Sequence, residues 1–344
     1  MSTYSVGVIG LGKIAAMYGT PAEPFPYCHV GGIRHSQRVR LVAVADAAEA
    51  ARTRFLGVWG AACPGLAVYP SAAALYAAGV PDILAICVRG PAHHAVTLEA
   101  IAAGPKAIFL EKPPSCSLAE LDELLAAAQA RRIPLIVSYS RHWRPHVLRL
   151  QELVGREGLI GQVQMVVGYV GGSVLSFASH VTDLICQFAG YAPTAVYARG
   201  KSSSKDLPPG YEAEPTLDSM QLEFANGVVG VQVGAGGEHG GFYCDVFGSR
   251  GYARAGMYLP PFARDQDRKP IDLSALGMPP DASVFTVAYD QIAAHLDGGP
   301  LPHCCNQDVV AVNELGFGAI ESILTHQRVT LPNQNRTRKV FANG

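Results

Sequence analysis

The sequence predicts an α/β protein of two domains, a doubly wound parallel sheet over residues 1–139 and a strand-rich second α/β domain over residues 140–344. Three observations carry this. The first half alternates short apolar runs with helical patterns, the signature of a parallel sheet covered on both faces. Near the start, the apolar run Val6-Gly7-Val8-Ile9 breaks into Gly10-Leu11-Gly12-Lys13-Ile14-Ala15, a tight turn that reads as the start of a helix. The second half instead carries strand-like runs separated by turn residues.

Composition sets the outer limits. A chain of 344 residues exceeds one comfortable core, and 49% hydrophobic against 16% charged residues favours a large buried interior extended by a subunit interface. The net charge of -1 offers no field to draw nucleic acid or an anionic membrane, so an anion must be recognised locally. The first apolar run lacks a preceding positive region and reads as a strand, not a signal sequence. Nothing approaches the roughly 18 consecutive apolar residues of a membrane span. The eight cysteines form no C-x-x-C pair and read as reduced thiols of a cytoplasmic protein. His303-Cys304-Cys305 is adjacent in sequence, where residues rarely converge on one ion, and lacks a fourth ligand, so no metal site is expected.

Taken in order, Gly10 makes the tight turn, Gly12 lets the backbone approach a pyrophosphate, and Ala15 keeps the following helix close to the sheet. The free amides and positive end of that helix then receive phosphates. Val39 to Ala45 is the second strand, ending at Asp46, where a carboxylate meets the hydroxyls of the adenosine ribose. The plainer reading is a surface aspartate at a strand end. The spacing from the glycines exceeds the usual twenty or so residues. The excess lies in Tyr18 to Gly32, an inserted loop with Pro21, Pro24, Phe25, Pro26 and Tyr27. It is too apolar to be freely solvated and is expected to pack against the cofactor, the second domain or another subunit.

Val68-Tyr69 is a third strand and Ile83 to Val88 a fourth, running into Arg89-Gly90-Pro91. The helix Pro91 to Ala103 stops at Gly104-Pro105. Ala107 to Leu110 is the fifth strand, with Glu111-Lys112-Pro113-Pro114 at its carboxyl end, where open parallel sheets bind ligands. Ser117-Leu118-Ala119-Glu120 is a capping box for a helix that buries Leu121, Leu124, Leu125 and Ala128. Leu135 to Val137 is the sixth strand and completes a Rossmann domain near Tyr139.

In these residues the chain resembles the oxidoreductases named after glucose-fructose oxidoreductase, inositol dehydrogenase and the rhizopine catabolism protein, the Gfo/Idh/MocA family. The turn of Gly10, Gly12 and Ala15, then Asp46, Pro91-x-x-His94, Glu111-Lys112-Pro113 and His180-Val181-Thr182-Asp183 carry the resemblance in order along nearly the whole chain. It implies a dinucleotide domain before a second α/β domain with a large, mainly antiparallel open sheet, and substrate and catalytic groups between the two. It also implies subunit association through the face of that sheet, as a homodimer or homotetramer.

The second half fits on its own terms. Arg144 to Arg156 is helical, Val163 to Tyr169, Ala195 to Ala198, Ser219 to Phe224, Val228 to Val233 and Tyr243 to Phe247 are strands, and Asn226-Gly227 marks a hairpin. Lys201 to Thr216 and Pro260 to Asp281 read as long loops, and Asn313 to Thr325 as a helix whose face can pack back on the first domain. His180 and Asp183 share one face of a short helix, over Leu184, Ile185 and Phe188. In the first turn the helix dipole disfavours an imidazolium, so a neutral ring able to take a proton is expected, while spacing alone favours a histidine that caps or packs against the helix, with Asp183 merely solvated.

The resemblance implies catalytic roles for Lys112, His180 and Asp183, with His180 as base, Lys112 lowering the proton affinity of the hydroxyl, and Asp183 orienting the histidine or the substrate. It implies cofactor contacts from Gly10, Gly12, Lys13, Ile14, Asp46, Arg89, Pro91, His94, Glu111 and Lys112, and substrate contacts from Lys112, Arg141, Trp143, Ser176 and His180. One departure matters. Relatives that oxidise polyols often carry an aspartate four residues before the histidine, and here Ser176 stands there, unable to hold a charge. Arg89, His93, Arg141, His142 and Arg144 form either an anion site for the substrate or salt bridges that join the domains.

The expected activity is hydride transfer between NAD and a hydroxyl or ketone carbon of a sugar, sugar derivative or polyol. NAD is favoured because Asp46 repels a 2′-phosphate, while Ala47 and Ala48 supply nothing to hold one. An NAD-dependent glycosidase with transient oxidation, a reductase of apolar carbonyls and a cofactor-bound sensor stay open; the sensor would be expected to lose Lys112 or His180.

Overall fold

The computed structural model describes residues 2–202, 206–234 and 241–342. Its first sheet is parallel throughout and contains β1 (Tyr4–Ile9), β2 (Val39–Ala45), β3 (Ala67–Tyr69), β4 (Ile83–Ile86), β5 (Ala107–Glu111) and β6 (Leu135–Ser138). Their order is β3-β2-β1-β4-β5-β6, so the winding reverses between β1 and β4 and opens a crevice at their carboxyl ends. All of β4 and β5 is buried, as strands covered on both faces must be. The covering helices include α1 (His29–His35), α2 (Glu49–Trp59), α3 (Ala72–Ala78), α4 (Gly90–Ala103) and α5 (Leu118–Ala130). Gly104 ends α4 in the left-handed region at φ +83°. Ser117 Oγ accepts from Glu120 N, and Glu120 in return accepts from Cys116 N, so the box closes one residue further out than its usual form.

The helix expected after the glycines is only a five-residue π turn, Lys13–Met17. Gly19, Pro21, Pro24 and Pro26 prevent it from continuing, and helix formation resumes at His29, inside the stretch expected to be loop. This insertion packs on the second domain. Ser283 Oγ donates to Pro26 O, Tyr27 meets Phe285 edge-on at 5.5 Å, and His29 Nδ1 lies 2.8 Å from Tyr289 Oη. The partners belong to α8 (Val284–Leu296) and the residue before it, a helix not among the elements expected. A Cβ on Gly32 would stand 2.3 Å from Phe285 Cβ, so α1 and α8 touch through a glycine. Gly32→Ala is therefore expected to cost about 1–3 kcal/mol by overpacking, read as a lower urea midpoint. An unchanged midpoint would contradict this contact.

Helix α6 (Pro145–Gly155) leads into the second sheet, made of β7 (Val163–Tyr169), β8 (Gly172–Ser173), β9 (Pro193–Lys201), β11 (Thr216–Phe224), β12 (Val229–Val233), β13 (Tyr243–Gly248), β14 (Gly251–Gly256), β15 (Phe262–Asp265) and β16 (Val329–Thr330). The order is β15-β14-β13-β7-β12-β11-β9-β16, with β8 on β11; only β7 and β12 pair in parallel. Gly227, at φ +82°, turns the β11–β12 hairpin. Strand β14, rich in glycine and alanine, was absent from the expectation, and β15 lies inside the expected Pro260–Asp281 loop. Within the other expected loop, β10 (Glu212–Ala213) pairs with β17 (Val340–Phe341); residues 203–205 fall outside the described residues.

Helices α7 (Ser179–Ala189) and α9 (Gln307–Thr325) cover one face of this sheet, and a Cβ on Gly168 would strike Val181 at 2.4 Å. Every residue of α7 is buried. Helix α9 starts earlier than the expected Asn313, because Val309, Ala311 and Val312 are also buried. Its Asn313 Nδ2 donates to Tyr139 Oη, just after β6, at 3.1 Å. Among the described residues, no helix is long and apolar enough to cross a membrane.

Candidate active site

Between the domains runs a cleft of about 1420 Å³, larger than a pocket for one small molecule. Gly12, Lys13 and Ile14 line it together with Lys112, Arg141, Ser176 and His180, with Arg89 and Glu111 also on its wall. Gly10 does the work expected of it. At φ +88°, its missing Cβ would lie 2.7 Å from the Cys87 carbonyl at the end of the neighbouring β4, so only glycine fits the turn that follows β1. A Cβ on Gly12, by contrast, meets nothing within 4 Å. The open turn, beside Lys13, Arg54 and Arg89 in the same cleft, fits a diphosphate.

Asp46 braces this turn. Its carboxylate accepts from Leu11 N at 2.7 Å and from Ala48 N at 2.8 Å, and Arg52 donates to the carbonyl oxygens of Asp46 and Ala47. An arginine therefore does stand at the strand end, which the adjacent alanines had not suggested. Pro91 and His94 are not among the residues lining the cleft. His94 faces α5 and lies 2.9 Å from Glu123, because the first turns of α4 direct its side chain there.

Glu111 and Lys112 leave the end of β5, and the Lys112–Pro113 peptide is cis. Buried Glu111 lies 3.0 Å from His29 Nε2; that partner and Lys112 outweigh burial and hold its carboxyl below its ordinary range. Lys112 Nζ donates to Ser176 O at 2.6 Å. Burial pushes the ammonium down from its ordinary range, Glu111 and Glu214 pull it back up, and Arg141 pushes it down again.

His180 sits at the cleft as expected, but its surroundings differ. A π turn, Val174–Ala178, runs directly into α7, so there is no free helix end beneath the ring. Burial first, then the charges of Arg141 and Lys112, hold the imidazole neutral, well below its ordinary pKa. Arg141 Nη1 donates to His180 Nε2 at 2.8 Å, which places the ring proton on Nδ1 and occupies the lone pair that a general base needs. Nδ1 has no partner among the described residues.

Asp183 does not orient His180. It accepts from His142 Nδ1 at 2.9 Å and lies 3.7 Å from Cys304 Sγ, all three fully buried. The α7 backbone turns Asp183 toward the segment after β6 while His180 turns toward the cleft. The three ligand-type atoms gather within 4.8 Å, and hydrogen bonds account for their approach. Trp143 also moves out of the substrate set. It is 1% exposed, meets Phe109 edge-on and donates to Gln291 Oε1, as a core residue does.

The basic group divides in the same way. Arg144 pairs with Asp281 at 2.7 Å and His93 lies between the carbonyls of Val88 and Pro113, so these two are structural. Arg141 faces the cleft, stacked 4.1 Å from the Phe242 ring. Tyr27, Phe177, Phe242 and Tyr258 also line the cleft and were not anticipated; only the apolarity of the insertion had pointed to Tyr27. Glu214, between β10 and β11, was missed altogether. Its carboxylate accepts from Leu175 N, Ser176 N and Ser176 Oγ.

Comparison with known proteins agrees with this geometry. Residues 4–139 match the Gfo/Idh/MocA model, described as an oxidoreductase family with an NAD-binding Rossmann fold. An uncharacterised oxidoreductase, YrbE, of Bacillus subtilis (strain 168) is 30% identical over 199 residues, 52% of this chain and 57% of that protein. Inositol 2-dehydrogenase of Rhizobium meliloti (strain 1021) is 27% identical over 211 residues, 57% of this chain and 58% of that protein. The chain thus spans less than two thirds of the curated relatives it matches. The fold is that of the aldose-aldose oxidoreductase of Caulobacter crescentus complexed with glycerol, at TM-score 0.76 and 18% identity over 96% of this chain and 100% of that one. It is equally that of the WlbA dehydrogenase of Bordetella pertussis in complex with NADH and UDP-GlcNAcA, at TM-score 0.71 and 19% identity over 96% and 99%. Through residues 4–139, its Rossmann domain, the chain is thus similar to the Gfo/Idh/MocA oxidoreductases.

Proposed function

We propose that the protein is an NAD-dependent oxidoreductase acting on a hydroxyl or ketone carbon of a sugar, sugar derivative or polyol. The observation that carries this reading is the convergence of Lys112, Ser176 and His180 on the wall of a cleft that begins at the glycine turn. The names of relatives, an inositol dehydrogenase and an aldose-aldose oxidoreductase, support the substrate class. NAD, when bound, supplies the hydride acceptor. Gly12, Lys13, Ile14 and Arg89 hold its phosphates and Asp46 its ribose. Lys112 places a positive charge beside the substrate oxygen, where alkoxide character develops. His180 offers Nδ1–H, its unpartnered atom, and Ser176 its hydroxyl, so both position the substrate. We assign Asp183 a supporting part beneath α7. A panel of sugars, polyols, sugar phosphates and glycosides, assayed for NAD and NADP reduction with product analysis, tests this. Net hydrolysis of a glycoside would select the transient-oxidation chemistry instead, and no turnover of any member would refute the reading.

NAD preference rests on Asp46. In Asp46→Ala the ribose loses its acceptor and the negative charge that would repel a 2′-phosphate is gone. The ratio of kcat/KM for NAD over NADP is expected to fall on the order of tenfold. A wild-type enzyme equally efficient with NADP would remove the basis for this.

We further propose a homodimer or homotetramer joined through the outer face of the second sheet, where Met165, Tyr197 and Phe247 are exposed opposite α7. A monomer in sedimentation equilibrium at micromolar concentration would contradict it. Eight unpaired thiols fit a cytoplasmic location.

A further inference from the structure

The site has the hydroxyl of Ser176, whose carbonyl oxygen holds the Lys112 ammonium, and His180 gives its lone pair to Arg141. A proton leaving the substrate hydroxyl therefore needs another destination. Ser176 Oγ lies 2.6 Å from Glu214 Oε2, and Glu214 Oε1 accepts from Leu175 N at 2.5 Å and Ser176 N at 2.7 Å. With every contact of the carboxylate an accepted hydrogen bond, Ser176 is the donor, so its lone pairs are what it turns to the cleft. We propose that Glu214, acting through Ser176, is the proton-holding group of this site.

The inference rests on the hydroxyl-oxidising reading above. The substrate O–H bond breaks as a new Ser176 Oγ–H bond forms, and the original Ser176 proton passes to Glu214 Oε2. The C–H electron pair leaves with its hydrogen as hydride to a nicotinamide dinucleotide; reduction runs the same path backwards. Glu214 is a positioning residue in this scheme, since of the two it is Ser176 that touches the substrate. Its environment suits the task. Burial outweighs the hydrogen bonds and the Lys112 charge and holds the carboxyl above its ordinary range, which makes it a better proton acceptor than an exposed glutamate. Lys112 faces it from the end of β5, and the Cys116 thiol is the other titratable group within reach of its charge. Glu214 in turn helps keep Lys112 an ammonium.

The experiment compares wild type with Glu214→Gln, Ser176→Ala and His180→Ala, using the best substrate of the panel. Glu214→Gln and Ser176→Ala should each lower kcat on the order of a hundredfold, with NAD affinity by calorimetry unchanged. The acidic limb of the kcat/KM pH profile should vanish in Glu214→Gln and persist in His180→Ala. Independently of any substrate, infrared difference spectra of the protein without ligand, recorded against pH, should show a carboxyl titrating above the ordinary glutamate range, absent from Glu214→Gln. Near-native turnover with an unchanged profile in Glu214→Gln, loss of the limb in His180→Ala, or no such infrared band would each overturn the proposal. Failure of the whole panel would refute the hydroxyl-oxidising reading, while the infrared titration would still decide whether Glu214 holds the proton.

Discussion

Replacing Lys112 with methionine is expected to lower turnover on the order of a hundredfold or more while leaving NAD binding nearly intact. The substitution keeps an unbranched side chain of similar bulk and removes its charge. In the structure that charge is held at the cleft by one short hydrogen bond to Ser176 O and by two flanking carboxylates, Glu111 and Glu214. Gly12 and Lys13, proposed above to hold the diphosphate, belong to the turn after β1 and not to β5, so cofactor affinity has little reason to change. A loss confined to kcat and kcat/KM means that the ammonium acts in the transition state; a rise in KM alone would mean that it only binds substrate. Near-native turnover would make Lys112 structural and the proposed chemistry wrong. His180→Ala should also lose turnover, through lost orientation of the substrate oxygen and loss of the neutral partner of Arg141.

The first domain was legible because its signals are local. Six apolar runs, the glycine turn and the Ser117 cap each depend on a few neighbouring residues, and the observed sheet order follows from them. Strand β14 was hidden because Gly251, Ala253, Ala255 and Gly256 have little β propensity; it exists through pairing with β13 and the Arg254–Asp245 bridge across the two strands. At the site, Lys112 was readable from a tripeptide at a strand end. Glu214 was not, since its meaning depends on Ser176, which is distant in sequence and meets it only when β8 pairs with β11. The partner of Asp183 was misread for a related reason. Helical spacing shows that Asp183 and His180 are neighbours, yet it says nothing about the third element that claims one of them.

That misreading leads to the second large effect. Asp183→Ala is expected to destabilise the fold by about 3 kcal/mol, because it strips His142 Nδ1 and the Cys304 thiol of their acceptor in a fully buried setting. An aspartate that oriented His180 for catalysis would instead leave a stable, inactive enzyme when removed. Urea denaturation separates the two outcomes. A second readout comes from Asp308, whose carboxyl burial first and Asp183 next push up to about 6. A carboxyl raised in the folded state contributes stability that is complete below its ordinary value of 3.8 and is lost as pH rises through about 6. Removing Asp183 takes away one cause of that shift, so the stability lost across this window should shrink in the variant even as its overall stability falls. A variant with wild-type stability at every pH, but without turnover, would return Asp183 to the catalytic group.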